Sequence, residues 1–266
     1  MVVVTLLVMS VDPARAGWPL PAGGPSASGD PEVLFTFDDG PHPRHTPAIL
    51  DLLAERNIKA IFFWVGWRLS HGDHVEIHRE LVHRAVREGH LVANHTVNHA
   101  NLCLVEEAEA AVEIDQNTRT LEEVSGLPII LFRAPYGASC QRLRDMLAAR
   151  SLDHTHWDID PQEWRHHNLK RTVNFVTRKL QQLDGRAIVL LHDTHRVTVK
   201  ALPQILDWIE KENQRRVKTG KRRPIRIIGA LDYLEERLDS NMLDWATSSA
   251  RKSATRMYAT VTRLIP

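Results

Sequence analysis

Short apolar runs alternate with helix-patterned segments along most of this chain of 266 residues, and that alternation restricts the folds open to it. Seven runs are predicted to be strands, at residues 33–37, 60–63, 90–93, 129–132, 153–157, 187–191 and 225–228. Helices are predicted to open at Thr46-Pro47, with Thr46 as N-cap, and to cover residues 78–88, 105–124, 140–150, 171–183, 199–211 and 231–238. Strands that alternate with helices in this way predict an α/β fold with a parallel sheet.

Polar side chains follow the predicted strands at their carboxyl ends. They are Asp38 and Asp39 after the first strand, His95 after the third, Arg133 after the fourth, Asp158 and Asp160 after the fifth, and His192 after the sixth. Barrels of alternating strands and helices build their active sites at this edge, and open doubly wound sheets bind ligands there. The sequence therefore predicts one functional site at the carboxyl ends of the strands.

Two segments carry residue types that bind metal ions, 36–41 (TFDDGP) and 95–99 (HTVNH). Adjacent carboxylates on an extended chain point to opposite sides, so Asp38 and Asp39 are free to take different roles. Histidines at i and i+4 share one face of a helical turn and can hold one cation. The glutamate of zinc proteases is absent, because Thr96 follows His95. Taken alone, the acids also suit a turn and the histidines an exposed surface.

Three more segments have one chemical and one structural interpretation each. Arg133 leaves a strand before a proline-shaped turn, where it can hold a carboxylate or form a structural ion pair. Trp157 and Trp164 flank acidic residues, as expected where a sugar ring stacks on aromatic surface, although both also suit a core. His192 ends a wholly apolar strand, where a histidine is usually satisfied by the backbone.

Composition excludes some classes of partner. The formal net charge is +1, so nothing in the balance indicates nucleic acid or an anionic membrane as a partner. A basic run at residues 211–223 is predicted to be a solvated helix end and loop, with contact to an anionic polymer as the alternative. Cys103 and Cys140 are too few for a cysteine-rich zinc site, and their spacing does not decide whether they form a disulfide bridge. The sequence does not indicate an oligomeric state.

The first residues resemble an export signal. Residues 1–9 are apolar apart from Thr5, and Ala14-Arg15-Ala16 gives the small-x-small pattern of a cleavage site. The basic start of such signals is missing, so the export prediction keeps a cytoplasmic location as its alternative. No other stretch is long and apolar enough to predict a membrane span.

Taken together, these residues resemble the motifs of the NodB-homology polysaccharide deacetylase family over about residues 32–238. Five segments match in order, at residues 36–41, 95–99, 132–137, 157–164 and 188–193. The resemblance implies a distorted (β/α) barrel of about seven parallel strands in a single catalytic domain. A leader and flexible connector at residues 1–31 would precede this domain, and a tail at residues 239–266 would follow it.

The resemblance also implies a metal site and a base. Asp39, His95 and His99 would bind a divalent metal ion, and this ligand set favours Zn²⁺, with Co²⁺ or another transition metal as alternatives. Asp38 would be the general base, and Arg133 would orient it and keep it ionised.

The remaining implied roles concern the acid and the substrate. His192 would be the general acid, held and charged by Asp160. The backbone N–H of Tyr136 would donate to the oxyanion, and Trp164 and Leu190 would form walls of the acetyl pocket. The family usually has aspartate where Glu163 stands, which leaves the contacts of Glu163 undefined and the prediction for Asp160 unchanged.

The implied activity is metal-dependent removal of acetyl groups from an N-acetylated or O-acetylated polysaccharide, such as chitooligosaccharide or peptidoglycan. Two alternatives remain open: a sugar-binding protein on the same fold that lacks catalysis, and a hydrolase of small amides. The sequence does not name the polymer or the native metal.

Overall fold

The strands and helices alternate as predicted in the computed structural model, which describes residues 29–240. The strands are β1 (Glu32–Asp38), β2 (Ile61–Trp64), β3 (Leu91–Asn94), β4 (Leu131–Phe132), β5 (Asp153–His154), β6 (Arg186–His192) and β7 (Arg226–Ile227). The helices are α1 (His45–Glu55), α2 (Trp67–Ser70), α3 (Val75–Arg87), α4 (Glu107–Ser125), α5 (Gln141–Ala149), α6 (Glu163–His166), α7 (Leu169–Gln181), α8 (Arg196–Thr219) and α9 (Ala230–Ser240). All strand pairs are parallel, which confirms the predicted fold class.

The sheet curls into a distorted barrel. Its strand order is β5-β4-β3-β2-β1-β6. Two strands share one edge of β1: β7 pairs with its first residues, and β2 pairs with its last residues. The chain leaves β5 after two residues and crosses to β6, where Ile159 forms an isolated parallel bridge with Val189. One short segment, residues 153–159, thus contacts both ends of the sheet and closes the ring, which is why β5 is shorter than the predicted strand at 153–157.

β1 lies at the centre of the fold. All seven of its residues are buried, and they pair with β6 over the full length of both strands, from Glu32 opposite Arg186 to Asp38 opposite His192. Helices cover the outside of a parallel sheet, so its strands are apolar on both faces. The apolar run at 33–37 therefore ends at two acids that reach the open carboxyl edge of the barrel.

One local prediction was wrong, and another fails at a single residue. Thr46 is not the N-cap of α1, because the helix begins at His45. The Thr46 hydroxyl instead accepts from the backbone N–H of His42 and donates to Asp193. The basic run at the end of α8 is not entirely solvated either. Arg216 is buried and donates to the carbonyl oxygens of Leu180 and Gln181, so it ties α8 to the end of α7.

Most of the predicted leader and tail lies outside the described residues, at 1–28 and 241–266. Within residues 29–240, no helix has the length and hydropathy that a bilayer span requires.

Candidate active site

The predicted strand ends meet at one end of the barrel. Asp38 and His192 are Cα partners in the β1–β6 ladder, and Arg133 follows β4, whose Phe132 is opposite Asn94 of β3. His95 follows β3 directly. These positions are far apart in the chain, and the parallel register alone brings them to a common edge.

Asp39, His95 and His99 form a cluster whose ligand atoms all lie within 4.8 Å of one another. Asp39 Oδ1 is 3.4 Å from His95 Nε2 and 3.2 Å from His99 Nε2. Burial alone would raise the pKa of Asp39, but the neighbouring side chains of His95 and His99 lower it far below its ordinary value. The carboxylate is therefore held in the ionised form that binds cations.

The tautomer of His95 suits a metal ligand. Its Nδ1 lies 2.7 Å from the carbonyl oxygen of Arg133, a group that only accepts, so Nδ1 carries a proton and donates it. In the neutral ring Nε2 then has a lone pair directed at Asp39. When neither group carries a proton, a lone pair and a carboxylate oxygen at 3.4 Å repel each other unless a cation lies between them. A carbonyl behind the ligating histidine is also the usual support of a metal-bound imidazole. The three residues present therefore fit a divalent ion.

The two histidines do not share a helical turn, contrary to the prediction. Residues 95–99 form a loop in which Thr96 and His99 have positive φ angles, 67° and 59°. The rings still converge, with their centroids 5.0 Å apart. Contacts from a distant helix hold this loop, as described below, and a spacing of four residues alone does not reveal them.

Asp38 and Arg133 form a buried ion pair beside this cluster. Arg133 Nη1 donates to Asp38 Oδ1 at 2.7 Å and to Thr36 Oγ1 at 2.8 Å, and its guanidinium lies 4.0 Å from the centre of the Phe63 ring. The side chains of Arg133 and Asp38 are 0% and 3% exposed. The contact with Arg133 fixes the orientation of the Asp38 carboxylate. The second carboxylate oxygen, Asp38 Oδ2, lies 3.8 Å from His95 Nε2.

A left-handed turn separates the two adjacent acids. Asp39 has a φ of 73°, so the chain bends directly after Asp38 and both carboxylates reach the site with different partners. Gly40 follows because there is no room for a side chain, since a Cβ there would lie 2.2 Å from Asp193 Oδ2. A glycine at position 40 is thus required by packing against Asp193, which directly follows β6.

Glu163, not Asp160, holds His192. Glu163 Oε1 accepts from His192 Nδ1 at 3.0 Å and from the His192 backbone N–H at 2.8 Å, and the glutamate is fully buried. Asp160 instead accepts from the backbone N–H of Gln162. Gln162, the N-cap of α6, has a left-handed φ of 57°, and this backbone turns Glu163 inward. The prediction for Asp160 is therefore wrong, and the signal that could have corrected it was the unusual glutamate before Trp164.

The Glu163 carboxylate changes the acidity of His192. Burial alone would lower the pKa of His192, but the hydrogen bond and negative charge of Glu163, with smaller contributions from Asp39 and Asp38, raise it to about 9. His192 is therefore protonated at neutral pH. A protonated imidazole beside the cluster of Asp39, His95 and His99 is a group that can donate a proton.

The predicted substrate-contacting residues lie around this centre. Tyr136 belongs to a short 3-10 turn, has a φ of 61°, and places its exposed ring 4.6 Å from that of His99. Trp164 is 44% exposed, and its ring centroid is 6.4 Å from that of His192. Leu190 is buried two residues before His192, on the same face of β6. Their contacts with substrate remain predictions.

A disulfide bridge joins two of the loops that carry these residues. Cys103, four residues after His99, is bonded to Cys140, four residues after Tyr136, with 6.0 Å between the Cα atoms. The spacing of the cysteines left this pairing open. The bridge links the His95–His99 loop to the turn that carries Tyr136.

Comparison with known proteins agrees with this arrangement. A family model described as polysaccharide deacetylase matches residues 26–157. A chitooligosaccharide deacetylase of Bradyrhizobium sp. (strain ANU 289) is 39% identical over 169 residues, which are 62% of this chain and 72% of the relative. The peptidoglycan-N-acetylmuramic acid deacetylase PdaC of Bacillus subtilis (strain 168) is 35% identical over 174 residues, 65% of this chain and 35% of that protein.

Solved structures extend the likeness beyond His192. The peptidoglycan deacetylase PdaC of Bacillus subtilis superposes with a TM-score of 0.65 and 27% identity, over 82% of this chain and 98% of that one. A family 4 carbohydrate esterase from Streptomyces lividans in complex with acetate gives a TM-score of 0.60 and 28% identity, over 68% and 88% of the two chains. With a shared fold, and with 39% identity across more than two thirds of the Bradyrhizobium relative, this chain belongs to the polysaccharide deacetylase family, whose enzymes hydrolyse amide C–N bonds.

Proposed function

We propose that this protein removes N-acetyl groups from a polymer of N-acetylated amino sugars, of the chitooligosaccharide or peptidoglycan kind, with a bound divalent ion. The observation that carries this proposal is the meeting of three units at one barrel end. These are the cluster of Asp39, His95 and His99, the Asp38–Arg133 pair, and the His192–Glu163 pair. Named relatives that act on chitooligosaccharide and on peptidoglycan support the substrate class.

Asp39, His95 and His99 would hold the ion, and one carboxylate with two imidazoles suits Zn²⁺ best. The ion supplies Lewis-acid polarisation of the acetyl carbonyl and activates water for attack. Asp38, held by Arg133, accepts a proton from the attacking water, whose oxygen forms a bond to the carbonyl carbon. The backbone N–H of Tyr136 donates to the oxyanion that develops on the former carbonyl oxygen.

His192 then completes the reaction. Its protonated ring donates a proton to the sugar nitrogen as the C–N bond breaks, which releases acetate and the free amine. Glu163 stabilises the imidazolium and fixes the orientation of the ring. Trp164 and Leu190 would enclose the acetyl methyl group.

The primary experiment measures acetate release from N-acetylated chitooligosaccharides and from peptidoglycan, with and without a chelator. We expect the chelator to abolish release and added Zn²⁺ to restore it, because the proposed reaction needs the ion. His99→Ala is the matched variant, and elemental analysis is expected to find it depleted of metal. Acetate release that a chelator leaves unchanged would contradict the proposal. A protein that binds the polymers but releases no acetate would instead be a sugar-binding protein.

The pH dependence offers a separate test of the His192–Glu163 pair. A group whose pKa is raised to about 9 stays protonated through neutral pH and loses its proton as the pH rises past that value. Glu163→Gln removes the charge that raises this pKa, so we expect the alkaline limb of kcat/KM to move to lower pH. Glu163→Asp keeps the charge and is the control. An alkaline limb that stays in place in Glu163→Gln would show that His192 is not the titrating acid.

We further infer that the protein works outside the cytoplasm. The Cys103–Cys140 bridge supports this inference, because disulfides persist in oxidising compartments and are rare in reducing ones. The small-x-small pattern at residues 14–16 is consistent with it. Cell fractionation tests the inference, and recovery from the cytoplasm alone would refute it.

A further inference from the structure

The loop that carries His95 and His99 has an unfavourable backbone. Thr96 and His99 both adopt the left-handed region, at φ 67° and 59°, which residues with a Cβ atom rarely occupy. A loop with two such residues persists only when its surroundings hold it in place. The question is which residues hold it.

Glu113 of α4 contacts the residue immediately before His99. Its Oε2 accepts the backbone N–H of Asn98 at 2.8 Å, and its Oε1 accepts from Asn98 Nδ2 at 2.7 Å. Glu113 is 4% exposed, whereas Asn98 is exposed. Both oxygens of this buried carboxylate therefore accept hydrogen bonds from one loop residue, which lies 15 positions away in the chain.

A second contact from the same helix fixes the start of the loop. Asn117 lies one turn after Glu113 on the same face of α4, and its Nδ2 donates to Asn94 Oδ1 at 2.9 Å. Asn94 Oδ1 also accepts the backbone N–H of Thr96 at 2.7 Å. The amides of Thr96, directly after His95, and of Asn98, directly before His99, are therefore both held by groups tied to α4.

We propose that Glu113 is a positioning residue for the metal site, which clamps Asn98 and so keeps His99 in the left-handed conformation that brings Nε2 to 3.2 Å from Asp39 Oδ1. The inference rests on the proposed metal site. Without the clamp, metal binding would have to order the loop, and affinity would fall. Removing groups that orient metal ligands typically costs about 10- to 100-fold in metal affinity.

The test is the affinity of the full-length apoprotein for Zn²⁺ alone, measured by competition with a chromophoric chelator. We expect Glu113→Ala to weaken Zn²⁺ binding by about 10- to 100-fold. Glu109→Ala removes an exposed glutamate from the same helix and is expected to bind as the wild type does. Glu113→Gln should recover most of the affinity, because an amide can accept from the Asn98 N–H and donate to a rotated Asn98 side chain.

Thermal unfolding of the apoproteins separates positioning from general support of α4. A purely structural role would lower Tm while Zn²⁺ affinity of the folded protein stayed the same. Asn98→Ala provides a second route should Glu113→Ala fail to fold, because it removes one clamp bond at an exposed position. The variant that combines Glu113→Ala with Asn98→Ala is expected to bind Zn²⁺ no more weakly than Glu113→Ala alone, since the two residues act through one contact.

Two outcomes would overturn the proposal. One is wild-type Zn²⁺ affinity in folded Glu113→Ala, and the other is wild-type affinity in Asn98→Ala if that variant has to carry the test. A wild-type protein that binds no Zn²⁺ would instead contradict the proposed metal site itself. The failures of the two proposals are therefore distinguishable.

Discussion

Asp38→Asn is expected to lower kcat for deacetylation by about 10²- to 10⁴-fold, the usual contribution of a general base, while the metal stays bound. Asparagine has nearly the same shape, and its amide oxygen can still accept from Arg133 Nη1, but it cannot take a proton from water. The cluster of Asp39, His95 and His99 is chemically unchanged. Steady-state acetate release and metal content by elemental analysis check the two halves of this expectation.

The buried position of Asp38 requires a stability control. Removing one charge of a buried ion pair leaves the other uncompensated, so unfolding of Asp38→Asn should be measured beside its activity. Asp51→Asn, at an exposed position of α1, gives the effect of the same substitution away from the site. Wild-type turnover in a folded, metal-loaded Asp38→Asn would remove Asp38 from the mechanism.

His192→Ala is expected to affect amides far more than activated esters. A sugar amine is a poor leaving group until it is protonated, so loss of the acid should lower kcat/KM on the N-acetylated polymer by about 10²- to 10⁴-fold. A nitrophenolate leaves without a proton, so hydrolysis of para-nitrophenyl acetate should change little. The ratio of the two kcat/KM values reports the acid role and cancels any common loss of metal or fold.

His83→Ala supplies the matched control for His192, because it removes an exposed imidazole from α3. We expect it to leave both rates at their wild-type values. Equal losses on amide and ester in His192→Ala would mean that the residue supports the site as a whole and does not protonate the leaving group.

The predictions that held concern the ends of strands. Apolar runs located β1, β3, β4 and β6, and a parallel sheet brings carboxyl ends to one edge whatever the loops do. The alternation of strands and helices along the sequence is therefore enough to predict that these strand-end residues converge: Asp38, Asp39, His95, Arg133 and His192. Their positions were predictable because each residue lies on a strand end or within a few positions of one.

The predictions that failed depend on contacts between distant residues. The His95–His99 segment has the spacing of a helical turn, but α4 holds it in a left-handed loop through Glu113 and Asn117. The spacing of His95 and His99 in the sequence does not reveal these contacts with α4. Glu163 was likewise missed because its inward direction follows from the left-handed backbone of Gln162, which is an uncommon conformation for glutamine.

The position of β1 has a consequence for how the enzyme matures. β1, the first strand within residues 29–240, pairs along its whole length with β6, so that Glu32 is opposite Arg186 and Asp38 is opposite His192. Contacts of such long sequence separation form slowly, because a long loop must close before they contribute. A nascent chain that ends before Arg186 has Asp39, His95 and His99 but neither His192 nor the strand that pairs with β1 up to Asp38. The strand ends of the site are therefore complete only after residues 186–192 have been synthesised and have paired with β1.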